Sequence, residues 1–249
     1  MSTTPALRRV RQAAWRGGLL VLLCATSLQV FWLGRIALMA VVDPQSTSFQ
    51  RSEIWRLLLD KRPAAWGQQW VDDAGLSPQL KRAVIASEDA GFTAHRGFEW
   101  DAVEKAWSRN QRAERTTPAR SINPRPPKLV GGSTISQQLA KNLFLSGERT
   151  LPRKAQEAVI TVALETFLSK RRILEIYLNN VEWGEGLFGA QAASQFYFGR
   201  DAARLDAASA ARLAVMLPAP KRFERQFQSA YLSSRAATIV ARMPGVELP

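Results

Sequence analysis

The chain has 249 residues, of which 46% are hydrophobic and 22% charged. This composition fits an anchor plus one packed domain and argues against a disordered chain. A formal net charge of +13 favours an anionic partner: nucleic acid, an anionic lipid surface or a phosphorylated substrate. The single cysteine, Cys24, and the single histidine, His95, exclude an intrachain disulfide, a thiolate metal site and a His-rich metal centre. A Ser-His-Asp triad would have to use His95 itself.

Residues 1–17 form a basic tail with Arg8, Arg9, Arg11 and Arg16. From Gly18 to Gly34 no charge occurs, and after Arg35 the apolar character resumes to Val42. A bilayer core needs about 20 mostly apolar helical residues, and Arg35 can extend to the interface, so 18–42 is assigned as one transmembrane anchor. Trp15 and Trp32 would stand roughly 26 Å apart on a helix rising about 1.5 Å per residue, a spacing suited to two interface anchors. The basic tail places the N-terminus in the cytoplasm and the remainder outside. A cleaved signal peptide would need small residues before its cut site, which ALMAVV supplies weakly, and a lipoprotein site at Cys24 meets Leu23 where a small residue belongs. With the domain outside, nucleic acid drops out as a partner and membrane lipid and substrate phosphate remain.

After the anchor, 43–76 reads as linker and domain entry, with a linker near Asp43 to Ser52, and 77–249 as the extracytoplasmic domain. No long alternating run occurs there, whereas apolar residues recur at helical spacing, so the fold class is all-α or mainly so. Pro78 suits the first turn of a helix through LKRAVIASED, with Leu80, Val84 and Ile85 inward and Glu88 closing it. Arg109 to Lys128, rich in Arg, Pro, Asn and Thr, reads as a long exposed basic loop within about 109–130. Thr134 and Gln137 form a capping-box pattern before a helix whose stripe is Ile135, Leu139 and Leu143, with Gln138, Lys141 and Asn142 on another face. Pro152 suits the first turn of the next helix, and Ser169 caps RRILEIYLNN. WGEGLFG is a glycine-rich turn. Further helices are expected over Gln191–Phe198, Asp206–Leu217 and Ser229–Met243.

Glu88, between VIAS and the turn DAGF, combines a semi-apolar setting with access to a cleft, which raises a carboxyl pKa toward the range of a general base. Most helix-end carboxylates, however, are solvated surface groups, and His95 by default holds the turn through hydrogen bonds. Lys141, Arg149, Arg153 and Lys154 gather cations suited to a phosphate or pyrophosphate. Arg153 and Glu157 are also spaced as a plain surface ion pair worth about 0.2–0.5 kcal/mol, and spacing alone favours that reading.

Four strings in order, EDAGFTAHRGFEWD, GGSTISQQLAKNLFL, RKAQE and KRRILEIYLNNVEWGEGLFGAQAAS, resemble the motifs of the peptidoglycan glycosyltransferases (glycosyltransferase family 51), in particular the monofunctional biosynthetic transglycosylases. The resemblance runs from about Ser77 to Pro220 and implies a lysozyme-like fold. It also implies that Glu88 is the catalytic base, with Asp89, Phe92, His95 and Gly97 as its structural companions, and that Glu157 is the second functional glutamate. Lys141, Arg149 and Arg153 fall where the family binds substrate phosphates, and Ser133, Thr134, Gln137, Gln138 and Asn142 match cleft-lining positions. No Ser-x-x-Lys acylation motif occurs, so transpeptidase activity is not expected.

The resemblance implies polymerisation of lipid II into β-1,4-linked glycan strands at the inner membrane, with inversion and release of undecaprenyl pyrophosphate. No cofactor is obligatory, although Mg²⁺ or Mn²⁺ at the substrate pyrophosphate, near Glu157, is compatible with it. Lipid II, the growing lipid-linked chain and membrane lipids are the expected partners, and other cell-wall synthesis proteins are further candidates. The rivals are a lytic enzyme of similar fold, disfavoured by the cations and QQLAKN, and a non-catalytic scaffold, disfavoured by intact Glu88 and Glu157.

Overall fold

The computed structural model describes residues 5–60, 66–100, 104, 108, 132–148 and 150–249. The loop expected over 109–130 and Arg149 lie outside the described residues. Helix α1, Pro5–Leu38, is long and apolar enough to cross a membrane, and its apolar side chains from Leu19 to Phe31 are largely exposed. It begins and ends earlier than the 18–42 segment expected, because the basic tail continues the helix and Met39 to Val42 form a turn. Its last turns are not free of the domain: Ile36 and Met39 are buried in the common core.

The expected linker is corrected. Helix α2, Ser48–Asp60, starts inside it and buries Gln50, Glu53 and Leu57. The start is local: Thr47 Oγ1 accepts from Gln50 N at 3.1 Å, and Gln50 Oε1 accepts from Thr47 N at 2.8 Å, the reciprocal arrangement of a capping box. Thr47-x-x-Gln50 was therefore a readable signal, masked by the Pro, Gln and Ser around it.

Helix α3 is Pro78–Glu88, capped by Ser77 with Pro78 in its first turn. Helix α4, Ile135–Phe144, begins at the expected box, with Thr134 and Gln137 bonded reciprocally. Helix α5, Leu151–Phe167, is capped by Thr150, and α6, Lys170–Asn180, by Ser169. Every residue of α6 from Ile173 to Asn180 is buried, so this part of the helix runs through the interior, and its buried polar residues Glu175, Asn179 and Asn180 are hydrogen-bonded there. The glycine-rich segment after it is a small hairpin rather than a bare turn. Strand β2, Glu182–Gly184, pairs antiparallel with β3, Leu187–Phe188, and β1, Gly67–Gln68, joins β3 in parallel. Strands of two or three residues carry no alternation to read, so the mainly helical class stands with this addition.

Helices α7 (Ala190–Phe198), α8 (Ala207–Met216), α9 (Pro220–Glu224) and α10 (Ala230–Arg242) complete the chain. Helix α8 packs on both α3 and α10, while α4 packs on α5 and α6. Two packing groups thus meet where α3 ends and α4 begins. Gly189 sits at φ +82°, and a Cβ there would meet the Asn179 carbonyl oxygen at 2.7 Å, which fixes glycine at the entry to α7.

Candidate active site

The inward stripe of α3, Leu80, Val84 and Ile85, is buried, and it draws the helix end into the domain. Glu88 is the last helical residue there. Its Oε2 accepts from Gln138 Nε2 at 3.0 Å and its Oε1 from Ser87 Oγ at 3.4 Å. Burial pushes the Glu88 carboxyl above its ordinary range, the Gln138 and Ser87 hydrogen bonds pull it back, Asp89 pushes it up again and Lys141 draws it down. A carboxyl whose proton affinity is raised in this way suits a general base.

Asp89 faces the other way. It is 3% exposed, its Oδ2 accepts from Ile135 N at 2.9 Å, and its Oδ1 lies 2.8 Å from His95 Nε2. His95 Nδ1 accepts from Gly97 N at 3.0 Å, so the neutral tautomer with the proton on Nε2 satisfies both contacts. Thr134 Oγ1 closes the circuit by donating to Gly97 O at 2.7 Å. A Cβ on Gly97, at φ +87°, would strike Thr161 Cγ2 at 2.7 Å, and Phe92 is fully buried beneath the turn. Asp89, Phe92, His95 and Gly97 thus lock the end of α3 to the start of α4 and hold Glu88 beside Gln138.

Gln138 is itself oriented from below, because Tyr177 OH donates to Gln138 Oε1 at 2.9 Å. This commits the Gln138 amide nitrogen to Glu88. Tyr177, on α6, was not among the expected site residues. Its signal was a tyrosine within the apolar stretch ILEIYL, where a buried hydroxyl must find a partner.

One turn along α4 stands Lys141, whose Nζ lies 5.9 Å from the centre of the Phe49 ring. Burial and the neighbouring Arg153 and Lys154 make its ammonium easier to deprotonate than usual, while Glu157 and Glu88 oppose this. On α5, Arg153 Nη1 donates to Glu157 Oε2 at 2.8 Å and Lys154 Nζ donates to Glu157 Oε1. The surface ion pair that the spacing favoured is therefore corrected: the Glu157 side chain is only 4% exposed, and the group is a buried carboxylate shared by two cations. Both Glu157 oxygens are engaged by cations, and among the described residues no cluster of three or more Asp, Glu, His or Cys could hold a metal ion. These donors do not fit a resident divalent ion at Glu157.

Gln138, Lys141 and Asn142 open onto a cavity of about 390 Å³, walled also by Phe49, Glu182, Phe188, Lys221 and Arg222. Lys221 Nζ lies 2.6 Å from Glu53 Oε1 and 3.3 Å from Glu182 Oε1. The second contact is an ion pair without hydrogen-bond alignment, and burial pushes the Glu182 carboxyl up to about 7. Ser133, expected in the cleft, is exposed. Thr134 and Gln137 are corrected: at 2% and 7% exposed, and bonded to each other across the cap, they are scaffold rather than cleft lining.

A family model described as Transglycosylase matches residues 58–244. The chain belongs to this transglycosylase family. It is 46% identical over 252 residues, covering all of both chains, to a protein of Paraburkholderia phytofirmans named biosynthetic peptidoglycan transglycosylase. A protein of the same name from Burkholderia lata is 49% identical over 221 residues, 89% of this chain and 85% of that one, and one from Paraburkholderia xenovorans is 45% identical over 252 residues, the whole of both. As a transglycosylase, the chain is a glycosyltransferase with a mainly helical, lysozyme-like domain. Glu88, Gln138, Lys141, Arg153 and Glu157 all lie inside the matched span, and the full-length similarity extends across the anchor helix.

Proposed function

We propose that this transglycosylase polymerises lipid II at the outer face of the bacterial inner membrane, joining the acceptor GlcNAc 4-hydroxyl to the donor MurNAc anomeric carbon with inversion and expelling undecaprenyl pyrophosphate. The observation that carries the reading is the division of charge along α4: a carboxylate with raised proton affinity at Gln138, and one turn on a cationic group at Lys141, Arg153 and Lys154.

Each half meets one demand of the reaction. A sugar hydroxyl attacks poorly until its proton leaves, and Glu88 accepts that proton as general base, a role typically worth about 10²- to 10⁴-fold. Gln138, fixed by Tyr177, keeps the carboxylate turned toward the acceptor. As the bond to the pyrophosphate breaks, charge grows on its oxygens, and preset cations stabilise that state more than the ground state. Lys141 and Arg153 supply this, and Arg149 is assigned to the same role by its motif position. Glu157 acts by holding Arg153 and Lys154 in place. No bound water need be activated, because the acceptor hydroxyl is itself the nucleophile. The basic N-terminal tail supports a cytoplasmic N-terminus and an external domain.

Purified full-length protein incubated with lipid II, and separately with finished sacculi, tests this. Glycan polymer from lipid II is expected, and soluble fragments from sacculi alone would replace the reading with that of a lytic enzyme.

A further inference from the structure

The transmembrane helix and the helix that carries Glu157 are joined by a reciprocal amide pair. Gln29 Nε2 donates to Gln156 Oε1 at 2.9 Å, and Gln156 Nε2 donates back to Gln29 Oε1 at 3.2 Å. Gln29 is part of a docking face: Gln29, Trp32, Ile36 and Met39 are partly or fully buried while their neighbours Val30, Phe31, Leu33 and Leu38 are exposed. Their spacing of three or four residues is one side of a helix, and this side packs on α5.

The depth of the pair follows from the charges. Arg16 and Arg35 bracket the uncharged stretch, and at about 1.5 Å per residue they stand roughly 28 Å apart, close to the hydrocarbon thickness of a bilayer. Gln29, three residues before the interface anchor Trp32 and six before Arg35, therefore lies about 5–9 Å inside that boundary. An amide there has no water to bond, and its partner has to come from another helix. Gln156 is that partner, so the middle of α5, around Gln156, sits at the same depth. The outward side of α5 agrees, because Val159, Val162 and Phe167 are 48%, 53% and 46% exposed. In sequence Gln156 directly precedes Glu157, and Arg153 and Lys154 lie one turn earlier.

We propose that Gln29 is a positioning residue for the reaction: through Gln156 it fixes the height of α5 in the bilayer, so that the Arg153, Lys154 and Glu157 group meets a pyrophosphate carried on a membrane lipid. The proposal rests on the lipid-pyrophosphate reading of the substrate for its catalytic half. Its structural half, the depth of α5, stands apart from that reading. The pair acts as one unit, so removing either amide strands the other.

The test uses full-length protein in phosphatidylethanolamine–phosphatidylglycerol vesicles, comparing wild type with Gln29→Leu, Gln156→Leu and the double variant. A nitroxide at Val159→Cys in a Cys24→Ser background reports depth through its accessibility to oxygen and to a water-soluble nickel chelate. The label is expected at lipid depth in the wild type and shallower in Gln29→Leu, whether or not lipid II is turned over. With lipid II in vesicles, KM is expected to rise roughly 3- to 15-fold in each single variant with kcat nearly unchanged, and to rise less in the double variant, which leaves no amide stranded. A short-chain, water-soluble lipid II analogue in detergent should be used equally by all four proteins. A water-accessible label in the wild type, an unmoved label in Gln29→Leu, or equal losses with both substrates would overturn the proposal. A correctly placed and movable label on a protein that leaves lipid II intact would instead refute the polymerase reading and reduce Gln29 to an anchor of α5 depth.

Discussion

Tyr177 and Glu88 are connected through one side chain: Tyr177 OH donates to Gln138 Oε1 at 2.9 Å, and Gln138 Nε2 donates to Glu88 Oε2 at 3.0 Å. The tyrosine is fully buried on α6 and the glutamate ends α3, so three helices fix the geometry of one carboxylate.

This chain of bonds sets a pH dependence. Burial raises the proton affinity of Glu88 and the Gln138 bond lowers it. A general base must be ionised, so kcat/KM rises with pH through the Glu88 titration. In Gln138→Leu the lowering contact is gone, and the acid limb moves to higher pH, with kcat/KM on that limb falling by roughly 10-fold or more for a lost bond to a charged group. Tyr177→Phe should move the limb the same way by less, since the amide stays but loses its orientation. A pH–rate profile of the three proteins checks this, and an acid limb that stays put in Gln138→Leu would remove Gln138 from the role.

Glu157 and Lys141 provide the opposite limb. Glu157 favours the charged form of Lys141, against burial and against Arg153 and Lys154. In Glu157→Gln the ammonium loses that support, so the alkaline limb moves to lower pH and kcat falls by about 10²-fold. The variant profile should narrow from the alkaline side only.

Asp89 carries a stability prediction. Asp89→Ala leaves the Ile135 N–H and the His95 Nε2–H without their partner, which costs about 1–3 kcal/mol for buried donors. Chemical denaturation of the variant should show that loss, and activity should fall with it because the start of α4 is released from Glu88.

A second stability effect belongs to Glu182. Its carboxyl is raised from 4.5 to about 7, mainly by burial, with Glu53 adding to the rise and Lys221 and Arg56 opposing it. Between those values the folded chain keeps a proton that the unfolded chain gives up, so stability falls as pH rises through that window. Glu182→Gln removes the slope and should gain up to roughly 1–3 kcal/mol at pH 8 while changing little at pH 4.5. Unfolding midpoints at the two pH values measure it.

What was legible in the sequence was local. The caps at Thr134 and Ser169, the proline starts at Pro78 and Pro152, and the end of α3 at Glu88 each depend on a few neighbouring residues. The motif strings carried Glu88 and its cationic neighbours. Contacts between distant segments were not legible: Tyr177 under Gln138, Phe49 over Lys141, and Gln29 against Gln156 depend on how helices pack, which periodicity does not report. Spacing alone also mistook the Arg153–Glu157 pair for a surface contact, since an i,i+4 interval is the same on a buried face. The short strands escaped because two residues cannot alternate.

The central claim is that Glu88 takes the acceptor proton, and the most direct measurement is lipid II polymerisation by Glu88→Gln beside the wild type in the same vesicles. Glutamine keeps the size of the side chain and cannot act as a base at neutral pH, so the rate should fall by at least about 10²-fold with the unfolding midpoint preserved or raised. A Glu88→Gln protein that polymerises lipid II at the wild-type rate would contradict the account.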